Sequence, residues 1–160
     1  MNIFYLDKDI DKCVQFHCDK HVVKMILEYA QILCTAQREL DSNANSLLYK
    51  ATHKNHPSSL WARETSDNYI YLYNLFVGLS NEYTYRYSKT HLTYSKLKDL
   101  LYVVPKNIPI GEFREPFQCM PEEFRSDNTV QSYRTYYKSK QKSFDMKYTN
   151  REAPEWLVND

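Results

Sequence analysis

His17, His21, Lys24 and Glu28 follow one another at intervals of four, three and four residues. On a continuous α-helix that spacing stacks them along one face. Two imidazoles, an amine and a carboxylate within three turns could supply hydrogen-bond donors, acid/base groups, an amine nucleophile or phosphate clamp, and a carboxylate partner. Cys18, Val22, Ile26, Ala30 and Leu33 form an apolar stripe that a core would take. The bland alternative is an exposed helix face with one Lys24–Glu28 pair, worth about 0.3–0.5 kcal/mol. A zinc site could be built from the i, i+4 histidines completed by His53 and His56. However, the two-histidine protease helix needs Glu directly after the first His, where Cys18 stands, and Lys20 and Lys24 would repel a cation. No metal and no cofactor are expected.

Two further regions carry groups of the same kind. Thr52-His53-Lys54-Asn55-His56-Pro57 leads into Trp61-Ala62-Arg63-Glu64. A helix starting at Pro57 would present free N–H groups to an anion, reinforced by Lys54, His56 and Arg63. Capping by Asn55 with solvated histidines is the structural alternative. Residues 129–151 hold six Lys/Arg against Asp145 alone, a net of +5, with Tyr133, Tyr136, Tyr137 and Tyr148 interleaved. Cations beside aromatic rings suit a nucleotide backbone with stackable bases. The alternative is a surface helix whose tyrosines face the core.

The elements that must position these groups are mostly helical. The 160 residues fit one domain, 1–160, with net charge +1 and only Gly78 and Gly111 as glycines. That balance argues against a strongly basic nucleic-acid binder, and the glycine scarcity against phosphate-cradling loops. The four cysteines form no C-x-x-C pair, and no window has the length of a membrane span or the form of a signal peptide. A soluble, reducing, cytoplasmic setting is expected.

Residues 2–6 read as a short strand or extended arm. The pattern then predicts a long helix from Asp9 or Asp11 to about Leu40, and a second from Pro57 to about Tyr87 with Leu60, Trp61, Asn68, Leu72, Leu75, Phe76 and Leu79 on its apolar side. A third, capped by Thr90, carries Leu92, Leu97, Leu100 and Leu101. Four prolines keep Pro105–Pro121 extended over the surface. A last helix runs from Asn128 to Phe144, and a tail follows with Pro154 and Trp156. The fold class is all-α.

The order of motifs resembles that of the small phage and bacterial pyrimidine-dimer DNA glycosylases, the endonuclease V of ultraviolet repair. Met120-Pro121-Glu122-Glu123-Phe124-Arg125-Ser126-Asp127 is similar to that family's Pro-x-Glu-Phe-Arg-x-Asp segment. Pro154-Glu155-Trp156 is similar to its C-terminal Pro-x-Trp, and Gln15 with His17 matches in order. The HCDKHVVKMILE and HKNHPSSLWARE strings look like a separate phage branch. The resemblance implies a helical fold that grips DNA, an amine that attacks the sugar C1′, a carboxylate that assists, and an imine that permits strand cleavage. Asn2 stands where the family carries threonine, and Lys24 falls roughly where its glutamate belongs, so Glu28 or Glu64 would take the carboxylate role with Lys20 or Lys24 as the amine.

The expected function is therefore a phage-type DNA glycosylase, with a lyase step, acting on a damaged or modified base. Its catalytic set is His17, His21, Lys24 and Glu28. The expected substrate- and phosphate-binding set is Asn2, Lys20, Lys54, Asn55, His56, Arg63, Glu64, Arg125, Tyr133 and Arg134. The expected partner is DNA or a phosphorylated nucleotide, with no membrane. The rival is a phage counter-defence protein that sequesters a cyclic-nucleotide or ADP-ribose signal, or cleaves it with His17 and His21 as acid and base.

Overall fold

A computed structural model describes residues 2–159. The chain folds through α1 (Ile10–Phe16), α2 (Asp19–Leu40), α3 (Pro57–Ala62), α4 (Ser66–Tyr87), α5 (Leu92–Tyr102), α6 (Thr129–Ser139) and α7 (Glu155–Val158). Single 3-10 turns lie at Glu122–Phe124 and Lys140–Lys142, and the described residues contain no strand. The fold is all-α, and its buried apolar residues form one continuous cluster.

The long helix expected from Asp9 to Leu40 is broken at His17–Cys18. Local signals start α1, because Asp9 caps it through the Lys12 N–H at 3.1 Å. No glycine or proline stops it. The break is held from elsewhere in the chain. His17 leaves the helical region (φ −66°, ψ 130°) and its Nδ1 lies 2.8 Å from the Cys13 carbonyl. Tyr137 OH then accepts the Cys18 N–H at 2.9 Å, and Lys147 O accepts the Asp19 N–H at 2.8 Å. Donors that a continuous helix would have satisfied internally are thus met by tertiary partners. Cys18, Val22, Ile26, Ala30 and Leu33 are all fully buried, as the apolar stripe predicts.

The second expected helix also divides, at Arg63–Thr65. Thr65 caps α4 through Asn68 N–H at 3.1 Å, and the buried Asn68 amide bridges Trp61 O (2.9 Å) and Arg114 N–H (2.9 Å). The Pro105–Pro121 segment is non-helical, as its prolines dictate, yet it is firmly pinned. Pro109 O accepts Ser66 N–H and Gly111 O accepts Asp67 N–H, which uses the free donors of α4's first turn. Cap assignment shifts by one residue at α5, where His91 rather than Thr90 accepts the Thr93 N–H, and Leu92, at the helix's first position, is exposed. Leu60 is likewise outward-facing. The last helix begins where expected, with Asn128 as its cap, but ends at Ser139 and tightens into the 3-10 turn.

The 22-residue helices α2 and α4 pack together, and α1 lies across α4 at Gly78. A Cβ there would meet Val14 Cγ1 at 3.2 Å and Ile10 Cγ2 at 3.4 Å, so the missing side chain permits the close approach. Residues 2–6 form an extended arm rather than a strand. Ile3, Phe4, Tyr5 and Leu6 are buried, with the Phe4 N–H donating to Tyr29 OH (3.2 Å) and Leu6 O accepting from Arg134 Nε (2.7 Å).

A strap formed by residues 140–151 is clasped by charge. Arg86, with no exposed side-chain surface, binds Glu82 (2.8 Å), Asp19 (3.1 Å) and the Gln15 carbonyl (2.9 Å). Arg151 places both its Nε and Nη2 at 3.0 Å from Glu82. Thr149 donates its N–H and hydroxyl to Asp19, whose carboxyl is held below its ordinary pKa by those bonds and by Arg86, against the opposing effect of burial. Such a network fixes geometry more than it stabilises. It locks the strap over the start of α2, beside the candidate site.

Candidate functional site

Where the arm, α2 and the end of α6 meet, they enclose a polar pocket of about 200 Å³. Asn2 and Phe4 come from the arm, His21, Lys24, Met25 and Glu28 from α2, and Tyr136 and Lys140 from α6 and the turn after it. Lys24 Nζ is 3.9 Å from Glu28 Oε2, with the lysine mostly solvated and the carboxylate largely enclosed. Lys140 Nζ sits 4.5 Å above the Tyr136 ring, 3.4 Å from its hydroxyl and 5.8 Å from the Phe4 ring. A pocket of this size is below the roughly 300–1,000 Å³ that holds drug-sized ligands, and suits one ring system or one phosphate.

His21 forms the pocket's rigid wall. Its ring stacks on Phe4 (centroids 4.8 Å apart, 18° between planes) and meets the Phe144 edge at 5.5 Å. Its Nδ1 is 2.8 Å from Tyr137 OH. Burial, joined by the positive neighbours His17, Lys140, Lys24 and Lys20, pushes its pKa down to about 3, so it is neutral at physiological pH.

His17 stands one layer behind. It is fully buried, with Nδ1 at 2.8 Å from Cys13 O and Nε2 at 2.9 Å from Tyr29 OH. Since a carbonyl can only accept, Nδ1–H donates to Cys13 and Tyr29 O–H donates to Nε2. Tyr29 oxygen then accepts the Phe4 N–H. Both ring nitrogens are spent, and burial holds the pKa near 4. The expected catalytic role for His17 is therefore corrected: it positions the arm through Tyr29 and touches no pocket space. The helix break at His17–Cys18 is the reason, because it takes His17 off the face shared by His21, Lys24 and Glu28.

The remaining expected residues sort by what their polar atoms touch. Asn2 lines the pocket. Lys20 is at its edge, with Nζ 4.4 Å over the Phe144 ring. The group around α3 does not join them. His56 caps α3 by accepting the Ser58 N–H at 3.1 Å, Arg63 donates to Ser59 O and Lys54 O, and Glu64 pairs with Arg114 at 2.6 Å. Lys54 and Asn55 are exposed in that loop. None of these five expected residues lines the pocket, so the expected phosphate-binding group around α3 is not brought to it.

Two C-terminal assignments, Arg134 and Tyr133, are corrected likewise, and Arg125 lies apart from the pocket. Arg134 donates to Leu6 O and Asp7 (2.8 Å) and lies over Phe16 and Trp156. Tyr133 is fully buried, its hydroxyl on Phe117 O, and offers no face for stacking. Arg125 is exposed and donates to Met120 O at 2.9 Å, apart from the pocket lining. The zinc alternative fails on the same grounds, and among the described residues no three His, Cys, Asp or Glu side chains are placed to hold a metal.

Phe4 and Met25 enter the pocket without having been singled out, and Tyr136 and Lys140 are what the basic, tyrosine-rich stretch contributes to it. Tyr136 and Lys140 carry the same i, i+4 signal as Lys24 and Glu28, but nothing local points them at α2. A larger, apolar hollow of about 480 Å³ between α4 and the end of α5, lined by Tyr69, Ile70, Tyr73, Tyr102 and Val103, contains no charged group. Of these two hollows, only the smaller is lined by charged side chains. No protein-family model matches this chain, and no curated protein or solved structure matches it. No described helix is long and apolar enough to cross a membrane.

Proposed function

We propose that this pocket receives one nucleotide unit of DNA and breaks its N-glycosidic bond. The observation that carries the reading is the convergence of an amine and a carboxylate, Lys24 and Glu28 at 3.9 Å, in a small aromatic-walled pocket. The buried flank of Glu28 suits a carboxylate that stabilises positive charge developing on the sugar ring. Lys24 in its unprotonated form adds to C1′, the C1′–N bond breaks, and its electron pair leaves with the base, which takes up a proton. Ring opening of the adduct then gives an imine. Lys20, at the margin, neutralises a flanking phosphate, and extrusion of the base into the pocket is the route by which such enzymes reach C1′.

Glu28 is favoured over Glu64 as the carboxylate, because Glu64 is paired with Arg114 outside the pocket. Lys24 is favoured over Lys20 as the amine, since Lys20 lies on Phe144 at the margin. Borohydride reduction during incubation with DNA containing an abasic site tests the covalent step. A covalent protein–DNA product is expected from the wild type and lost in Lys24→Ala. Absence of any product from the wild type would remove the imine mechanism.

One observation favours binding without turnover. His21 is held neutral among three lysines, so it serves poorly as an acid, and His17 is sealed off. A cyclic-nucleotide or ADP-ribose signal could then be sequestered intact, and cleavage by a His17–His21 acid/base pair is not supported. Chromatography of ligand released on denaturation separates the two: intact ligand without DNA activity means sequestration.

A further inference from the structure

The hydrogen bonds around Tyr137 restrict what the pocket can accept. A phenol oxygen has one hydrogen to give and two lone pairs to fill. Tyr137 O–H donates to Cys18 Sγ at 3.2 Å, and the same oxygen accepts the Cys18 N–H at 2.9 Å. The remaining approach is His21 Nδ1 at 2.8 Å. With the hydrogen directed to sulfur and one lone pair filled, that contact requires a proton on Nδ1. Burial keeps the imidazole neutral, so Nε2 is a bare acceptor. Nε2 has no partner among the described residues, and it is not among the fully enclosed polar atoms left unpaired. It therefore opens on the pocket His21 lines, in an orientation fixed by Phe4 and Phe144.

The groups around Nε2 are of opposite character. Lys140 offers N–H donors, whereas Lys24 faces Glu28. We propose that His21 determines specificity by accepting an N–H from the bound base, while Lys140 takes a carbonyl oxygen beside that N–H. The base is then of the uracil, thymine or guanine type, which presents an N–H next to a carbonyl. Cytosine and adenine carry a bare ring nitrogen at the equivalent place, and would set acceptor against acceptor. This inference rests on the reading that a nucleotide enters the pocket, but the side-chain tautomer can be examined in the free protein.

Two measurements test it. In 15N NMR at neutral pH, His21 is expected as the Nδ1–H tautomer, and an Nε2–H tautomer would overturn the inference while leaving the glycosylase reading intact. Titration with uridine monophosphate, its N3-methyl derivative and cytidine monophosphate is expected to show uridine monophosphate about tenfold tighter or more, the size of one hydrogen bond made or lost. Equal affinities for all three would overturn the inference alone. No binding by any of them would overturn it together with the nucleotide pocket itself.

Discussion

Two buried neutral histidines should make the protein lose stability in a pH range where carboxylates are still ionised. His17 and His21 have folded-state pKa values pushed down by burial to about 4 and about 3, against 6.5 in the unfolded chain. Their sign is that of a base held neutral in the fold. The contribution is fully present above pH 6.5 and is lost as pH falls, because the unfolded state takes up protons that the native state refuses. Between pH 7 and 5 each histidine removes roughly 2 kcal/mol, so the pair removes ~4 kcal/mol, a large share of a typical 5–15 kcal/mol. His56 and His91 are shifted in the same direction, again mainly by burial, and add to the slope. Urea unfolding followed by far-UV circular dichroism at pH 7, 6 and 5 measures it directly. His17→Phe should lower stability at pH 7, because Cys13 O and Tyr29 OH lose their partner, but it should also flatten the pH slope by about one proton. A wild-type stability unchanged from pH 7 to 5 would refute the neutral assignment of both rings.

Other substitutions separate scaffold from site. Glu82→Ala leaves the buried Arg86 without its main partner and releases Arg151, and should cost about 3–5 kcal/mol in chemical denaturation. Lys24→Ala should change stability by no more than ~0.5 kcal/mol, its ion pair being largely solvated, while weakening nucleotide binding in calorimetry. Lys140→Ala should weaken that binding as well. Arg63→Ala should leave nucleotide affinity unchanged within error, because its guanidinium is committed to Ser59 O and Lys54 O.

Much of the scaffold is legible in the sequence because it is written in local signals. The apolar stripe of α2, the start of α6 at Asn128 and the proline-held extension after α5 all follow from near neighbours, and each is where those signals put it. The break at His17–Cys18 is different in kind. Its causes are Tyr29, Tyr137 and Lys147, residues 12 to 130 positions away, and no helical spacing reveals them. That break decides the site, since it removes His17 and leaves His21, Lys24 and Glu28 together. The same limit governs the basic C-terminal stretch. Composition shows a net positive charge, but not that Arg134 and Arg151 are bound to Asp7 and Glu82 while Lys140 remains at the pocket. His56 resembles a ligand in sequence, yet acts as a helix cap through Nδ1.

Which amine forms the adduct is the most direct question to ask of the pocket. Borohydride-reduced complexes with abasic-site DNA can be digested and the modified lysine located by mass spectrometry. Modification of Lys24 is the expected result, with Glu28→Gln slowing its formation. No adduct, or one confined to lysines away from the pocket, such as Lys54 or Lys106, would contradict the assignment of this cleft as the catalytic centre.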